Sequence, residues 1–273
     1  MSVLDVQSPL TEEEVSTLVR LIQKYRPIIV GGQAISLWSH LYEGADSELD
    51  GLEVTSKDLD FYHNKDAEIA LAESLEEGKL KVPTGDDHTP CAAVVTGKLG
   101  NRTVVVDFLS QVKGVTDESL LKNSITYGDP EDPEGLFITL MHPVDCVRSR
   151  LSNINILRRH DAHSVKQAIA SIRILDCFVE DQLSQNSDLG RRNALDALRA
   201  LEKIIEKQHI GRTTDTVFGL ALRPDRILEK YVNDTRLDER VRLRLIFPSM
   251  ERLKKRRKIA NERTQRCKIA KTS

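Results

Sequence analysis

Several things are scarce in this chain of 273 residues, and each scarcity excludes something. No unbroken apolar run approaches the ~18 residues that a membrane-crossing helix needs, so no membrane span is expected. Met1 to Gln7 carries neither a basic stretch nor an apolar one, so no secretory signal is read there. The four cysteines, Cys91, Cys146, Cys177 and Cys267, lie far apart and form no CxxC pair. That argues against a zinc module and against a disulfide framework, and the expectation is reduced thiols in a cytoplasmic protein. Internal repeats and low-complexity linkers are also missing.

What the chain does have is a split in charge. The total, 40 basic against 42 acidic residues, is nearly neutral. Up to Arg150 there are 13 basic and 26 acidic residues, a balance of −13, and from Leu151 onward the balance is +11. Most of that excess follows Arg236, where 14 basic residues face 4 acidic ones. An asymmetry of this kind points to two regions with different partners.

Periodicity divides the chain in the same sense. Thr11 with Glu14 is a capping-box pattern ahead of Val15, Leu18, Val19 and Ile22 at helical spacing. Pro27 to Val30 reads as a buried strand running into Gly31-Gly32, and Gln33 to Tyr42 as a helix with Ile35, Trp38 and Leu41 on its core side. Lys57 to Tyr62 alternates like a half-buried strand, and Asp66 to Glu77 reads as a helix stopped at Gly78. Cys91 to Leu109 reads as a β-hairpin turning near Gly97 and Gly100, and Gly114 to Gly135 as an irregular connection. From Pro143 the segments 145–157, 163–183, 189–208, 224–232 and 238–247 all read as helices.

Three features fit one chemistry. Gly31-Gly32 at a strand-to-helix turn lets a phosphate approach backbone N–H groups at a helix start. In Asp58-Leu59-Asp60, alternation sends both carboxylates to one face and Leu59 and Phe61 to the core, with Lys57 on the opposite face. Paired carboxylates repel, and a divalent cation would supply the reason for their pairing. Asp107 is read as ending the apolar strand Val104 to Val106. Singly, each has an ordinary structural reading: a turn, a solvated edge, a strand terminator. His160 and His163 are read as solvated or hydrogen-bonded, since no third metal ligand lies nearby.

The strings IIVGGQAISLW, TSKDLDF and VVVDFL resemble the DNA polymerase β-like nucleotidyltransferase superfamily over about residues 11–140. The segment from His142 through Arg148-Ser-Arg150 to Asn153 is similar to the helical half of AbiEii-like nucleotidyltransferases, many of which act in toxin–antitoxin or phage-defence pairs. Where the superfamily often has a small hydroxyl residue after the first glycine, this chain has Gly32. The spacing to Asp58 is long through Glu43 to Glu53, as if a loop were inserted. Arg158-Arg159-His160-Asp161 stands as a candidate replacement for a later motif.

The resemblance implies an α+β fold: a nucleotidyltransferase-type mixed sheet with flanking helices over residues 1–140, an all-helical domain over 141–247, and a basic tail over 248–273. It implies transfer of a nucleotide from an NTP to an acceptor such as a tRNA 3′ end or a protein hydroxyl. Asp58, Asp60 and Asp107 would hold Mg²⁺ or Mn²⁺, and Gly31, Gly32 and Gln33 would hold the nucleotide. Lys254, Lys255, Arg256, Arg257 and Lys258 would contact RNA or DNA, or else form a solvated helical face or dock an acidic protein. An antitoxin is the protein partner such a chain could have. The alternatives are a binding module on the same scaffold and a small-molecule adenylyltransferase.

Overall fold

In a computed structural model of the chain, the described residues are 9–52, 54, 56, 58–84, 87, 89–132, 134–206 and 222–272, without the side chains of 257, 260, 261 and 263–272. Thr11 opens helix α1 (Glu12–Ile22) with a complete capping box: its hydroxyl accepts from the Glu14 N–H at 3.2 Å, and the Glu14 carboxylate accepts from the Thr11 N–H at 2.7 Å. Strand β1 (Ile28–Ile29) leads into α2 (Gly31–Leu41), followed by the short α3 (Ser47–Asp50), β2 (Leu59–Tyr62), α4 (Lys65–Ser74), β3 (Glu76–Lys81), β4 (Cys91–Leu99) and β5 (Arg102–Leu109). Then come α5 (Asp117–Asn123), β6 (Ile125–Tyr127), β7 (Ile138–Leu140), α6 (Pro143–Asn155), α7 (Ala162–Ser184) and α8 (Asp188–Glu206).

The strands make one mixed α+β sheet of seven, ordered β3-β4-β5-β2-β1-β7-β6. β2 runs parallel to β5 and β1 parallel to β7, while the other neighbours are antiparallel. Alternation decides which side chains meet. Leu59 and Phe61 of β2 and Val104, Val106 and Phe108 of β5 are buried on one face, where the Phe61 and Phe108 rings stack at 5.4 Å. Asp60 and Asp107 fall on the other face. Helix α4 packs on β3 and β4, and α1 on α4. Trp38 of α2 is fully buried, and its indole N–H donates to the Met141 carbonyl at 2.9 Å, tying α2 to the chain that enters α6.

Three expectations need correction. Helix α4 stops at Ser74, because Leu75 turns extended and Glu76–Lys81 pairs with β4 instead of continuing the helix. The stretch 114–135 is not irregular throughout: the Thr116 hydroxyl caps α5, and β6 pairs with β7. Asp107 does not end its strand, which continues through Phe108 to Leu109. The long spacing before Asp58 does hold an additional element, α3, whose start is capped by the Asp46 carboxylate; Glu53 lies outside the described residues.

The chain divides into two compact units, Met1–Ile174 and Leu175–Ser273. The division falls inside α7, whereas composition placed the change of character near residue 140. Helix α6 lies with the first unit because it packs on α2 and buries Val144, Val147, Leu151 and Ile154. The described elements of the second unit are helices: the rest of α7, α8, Asp225–Tyr231, Glu239–Val241, a π-turn at Arg242–Ile246, and the long helix Phe247–Thr272. Its Tyr231 hydroxyl donates to carboxylates of Asp176 and Glu180, and Arg236 pairs with Glu180 and Asp234. Among the described residues no helix is long and apolar enough to cross a membrane.

Candidate active site

The site starts at the turn after β1. Gly31 has φ +68°, a conformation that disfavours any side chain, and a Cβ there would run into the Asp60 carboxylate. Asp60 therefore occupies the space that a residue other than glycine would fill. Its backbone is fixed as well, since the Val30 N–H donates to the Asp60 carbonyl at 2.9 Å. No side chain caps the first turn of α2, so the positive end of its dipole is offered without a built-in side-chain acceptor. Gly31→Ala is expected to destabilise the fold by on the order of 2 kcal/mol, from backbone strain and displacement of the carboxylate. Chemical denaturation checks this, and an unchanged midpoint would refute the packing of Asp60 against Gly31.

Asp58 lies one residue before β2, not within it, and is exposed. Asp60 is mostly buried, directly beside Asp107 in the parallel register of β2 and β5. Burial, then the charges of Asp107 and Asp58, push the Asp60 carboxyl up to about 6. The charges of Arg150 and Arg159 work in the opposite direction. Asp107 is also raised, by burial first and then by Asp58, while the Cys91 thiol donates to its carboxylate. Burial pushes the Cys91 thiol up, and the neighbouring carboxylates add to that.

A cleft of about 1020 Å³ opens over this turn. Gly31, Gly32, Asp58 and Asp60 line it together with Arg150, Asn153, Arg159 and Gln167. Asp107, beside Asp60 on the neighbouring strand, is not part of the lining. Gln33 is buried and faces a different cavity, of about 520 Å³, so it does not join the glycines in the cleft. Lys57 lies outside the described residues. His160 bonds the Ile154 carbonyl at 3.1 Å, while His163 lies at the cleft. The basic run is on the long C-terminal helix, where Lys254 pairs with Glu251 and Arg256 donates to the Ile205 carbonyl; the side chain of Arg257 is outside the described ones.

Compared with known proteins, the chain matches no family profile, no curated protein and no solved structure. The site has to be read from its own chemistry.

Among the described residues no three His, Cys, Asp or Glu side chains are gathered into a ready-made metal cage. The donor set is nonetheless one of hard oxygens, with Asp60 raised by burial and then by Asp107 and Asp58, and Asp107 raised by burial and then by Asp58. Carboxylates strained in this way fit a divalent cation of the magnesium or manganese kind, which would relieve the repulsion that protonation otherwise relieves.

The sequence marked the segment from His142 to Asn153 as helical by resemblance, but not as a wall of this cleft. Ser149, Arg150 and Gln167 line the cleft and are buried, although none marks itself by periodicity. The one available signal was the clustering of polar residues on α6, a helix whose other residues are almost all buried too.

Proposed function

We propose that this chain transfers a nucleotidyl group from a nucleoside triphosphate to an acceptor hydroxyl. The observation that carries the reading is the meeting, in one cleft, of an uncapped glycine-initiated helix start with the carboxylates of Asp58 and Asp60, backed by Asp107. The acceptor oxygen attacks the α-phosphorus, the bond to the β-phosphate oxygen breaks, pyrophosphate leaves, and the hydroxyl proton departs to a base or to water. The N–H groups of Gly31 and Gly32 orient the phosphates. Asp58 and Asp60 at the cleft would hold magnesium, with Asp107 alongside Asp60 in the register of β2 and β5; when bound, the ion would lower the pKa of the attacking hydroxyl and neutralise the leaving pyrophosphate. The side chains around the cleft limit water, so that the acceptor competes with hydrolysis.

The glycine turn and the carboxylate pair also underlie the resemblance to the DNA polymerase β-like superfamily, and so support an acceptor of the RNA or protein-hydroxyl kind. The exposed lysines of the C-terminal helix, Lys255 and Lys258 among them, offer a polyanion sequence-independent contacts. Incubation of the full chain with α-³²P-labelled ATP, CTP, GTP or UTP, Mg²⁺, total RNA and a protein lysate tests the reading. Label is expected in one macromolecular fraction, and only with the divalent cation. Nucleotide binding without label transfer under any of these conditions would instead favour a binding module.

A further inference from the structure

Two arginines sit two residues apart on α6, and the chain treats them differently. Arg148 is neutralised: its guanidinium pairs with the Asp145 carboxylate and reaches Ser119. Arg150 is 8% exposed and pairs with no carboxylate among the described residues. Its Nη1 donates to the neutral Gln167 Oε1 at 2.7 Å, and its Nε is buried without a partner. A buried cation whose hydrogen bond goes to an amide is costly, because desolvation outweighs the more distant charge of Asp60, with which it makes no ion pair. Burial accordingly pulls the Arg150 guanidinium down from its ordinary range.

The surroundings say what is missing. Arg150 lines the cleft with Gly31 and Gly32, and the Gln167 amide that holds it reaches over the turn: a Cβ on Gly32 would come within 2.8 Å of Gln167 Nε2 and 2.8 Å of Ser56 Oγ. Glycine at 32 thus makes room for a hydroxyl and an amide brought from elsewhere. Arg159 lines the same cleft. The cleft therefore carries both carboxylates and guanidinium groups, the mix of charge that complements a cation-bound polyphosphate.

We propose that Arg150, positioned by Gln167, binds a phosphate oxygen of the substrate's triphosphate, an inference that rests on the nucleotidyl-transfer reading for the identity of the polyphosphate. Arg150 is thus a substrate-binding residue and Gln167 a positioning residue.

Calorimetric titration of the full chain with inorganic tripolyphosphate, with and without Mg²⁺, is the test. Arg150→Gln removes the charge. Gln167→Glu keeps the arginine but gives it a carboxylate that competes with phosphate. Both variants are expected to bind tripolyphosphate at least tenfold more weakly, and to raise KM for NTP more than they lower kcat. Arg150→Gln is expected to melt no lower than the parent chain, since it removes a buried charge that makes no ion pair and whose desolvation outweighs the attraction of Asp60. Wild-type affinity in the folded Gln167→Glu chain, no tripolyphosphate binding by the parent, or a markedly lower melting temperature for Arg150→Gln would each overturn the proposal. Arg150-dependent binding without transfer to any acceptor would leave this subsite standing and remove the transfer reading. Transfer that survives both substitutions with unchanged KM would do the reverse.

Discussion

Label transfer by the Asp60→Asn chain is expected to fall by on the order of a thousandfold, while the metal-free protein becomes harder to unfold. Both effects follow from the same placement. Asp60 is the carboxylate wedged against Gly31 and flanked by Asp107 and Asp58, so it is the acid with the most to contribute to holding a cation. Asn keeps the shape, and with it the fit against Gly31, but it removes the charge. The carboxylate is costly to the metal-free fold, because burial and two like charges oppose its ionisation. Asparagine removes that cost. Activity and stability therefore move in opposite directions, which a merely structural residue would not produce. Asp107→Asn should follow the same pattern. Transfer within tenfold of the parent chain in both variants would take these residues out of the chemistry.

The second large effect is on stability against pH. The Asp60 carboxyl is raised in the fold from 3.8 to about 6, so the folded chain holds a proton that the unfolded chain has released. Its stabilising contribution is complete below about pH 4 and is lost as pH rises through about 6, at a total of roughly 3 kcal/mol. Asp107 is shifted in the same direction and adds to the loss. Other acids, such as Glu180 and Asp234, are held down by Arg236 and contribute with the opposite sign at lower pH. The informative quantity is therefore the difference between the parent and Asp60→Asn chains. In EDTA, that difference in unfolding free energy should widen between pH 4 and pH 7, and millimolar Mg²⁺ or Mn²⁺ should narrow it again. A difference that is flat across this range would mean that Asp60 is not raised by its neighbours.

Much of this site could be read before the structure, and the reasons are local. The capping box at Thr11 and Glu14, the glycine turn after Ile29 and the alternation of Leu59, Asp60 and Phe61 each depend on residues close in sequence. What escaped was fixed by partners far away. β3 is a run of mostly charged, exposed residues, and it is a strand because β4 supplies its hydrogen bonds. The mid-strand position of Asp107 follows from Phe108 and Leu109 pairing onward with Phe61 and Tyr62. Gln33 turned away from the cleft because α2 begins two residues before it, at Gly31, which changes the face it presents. Arg150 was visible as a residue but not as a buried one. Nothing in its neighbours along the chain says that Gln167, rather than an acid, will meet it.

The parallel pairing of β2 with β5 sets limits on how this protein could tolerate change in length. Leu59, Asp60, Phe61 and Tyr62 lie opposite Val106, Asp107, Phe108 and Leu109, one to one. A single inserted or deleted residue inside either strand would swap its two faces, driving a carboxylate toward the stacked rings and a phenyl group into the cleft. Two residues would restore the faces but displace the acids from each other by a full repeat. Added length at the exposed turn Glu43, Gly44 and Ala45, ahead of the Asp46 cap of α3, carries no such penalty. The acids are thus held in phase by the hydrophobic core beneath them, and indels that spare the core also spare the charge pair.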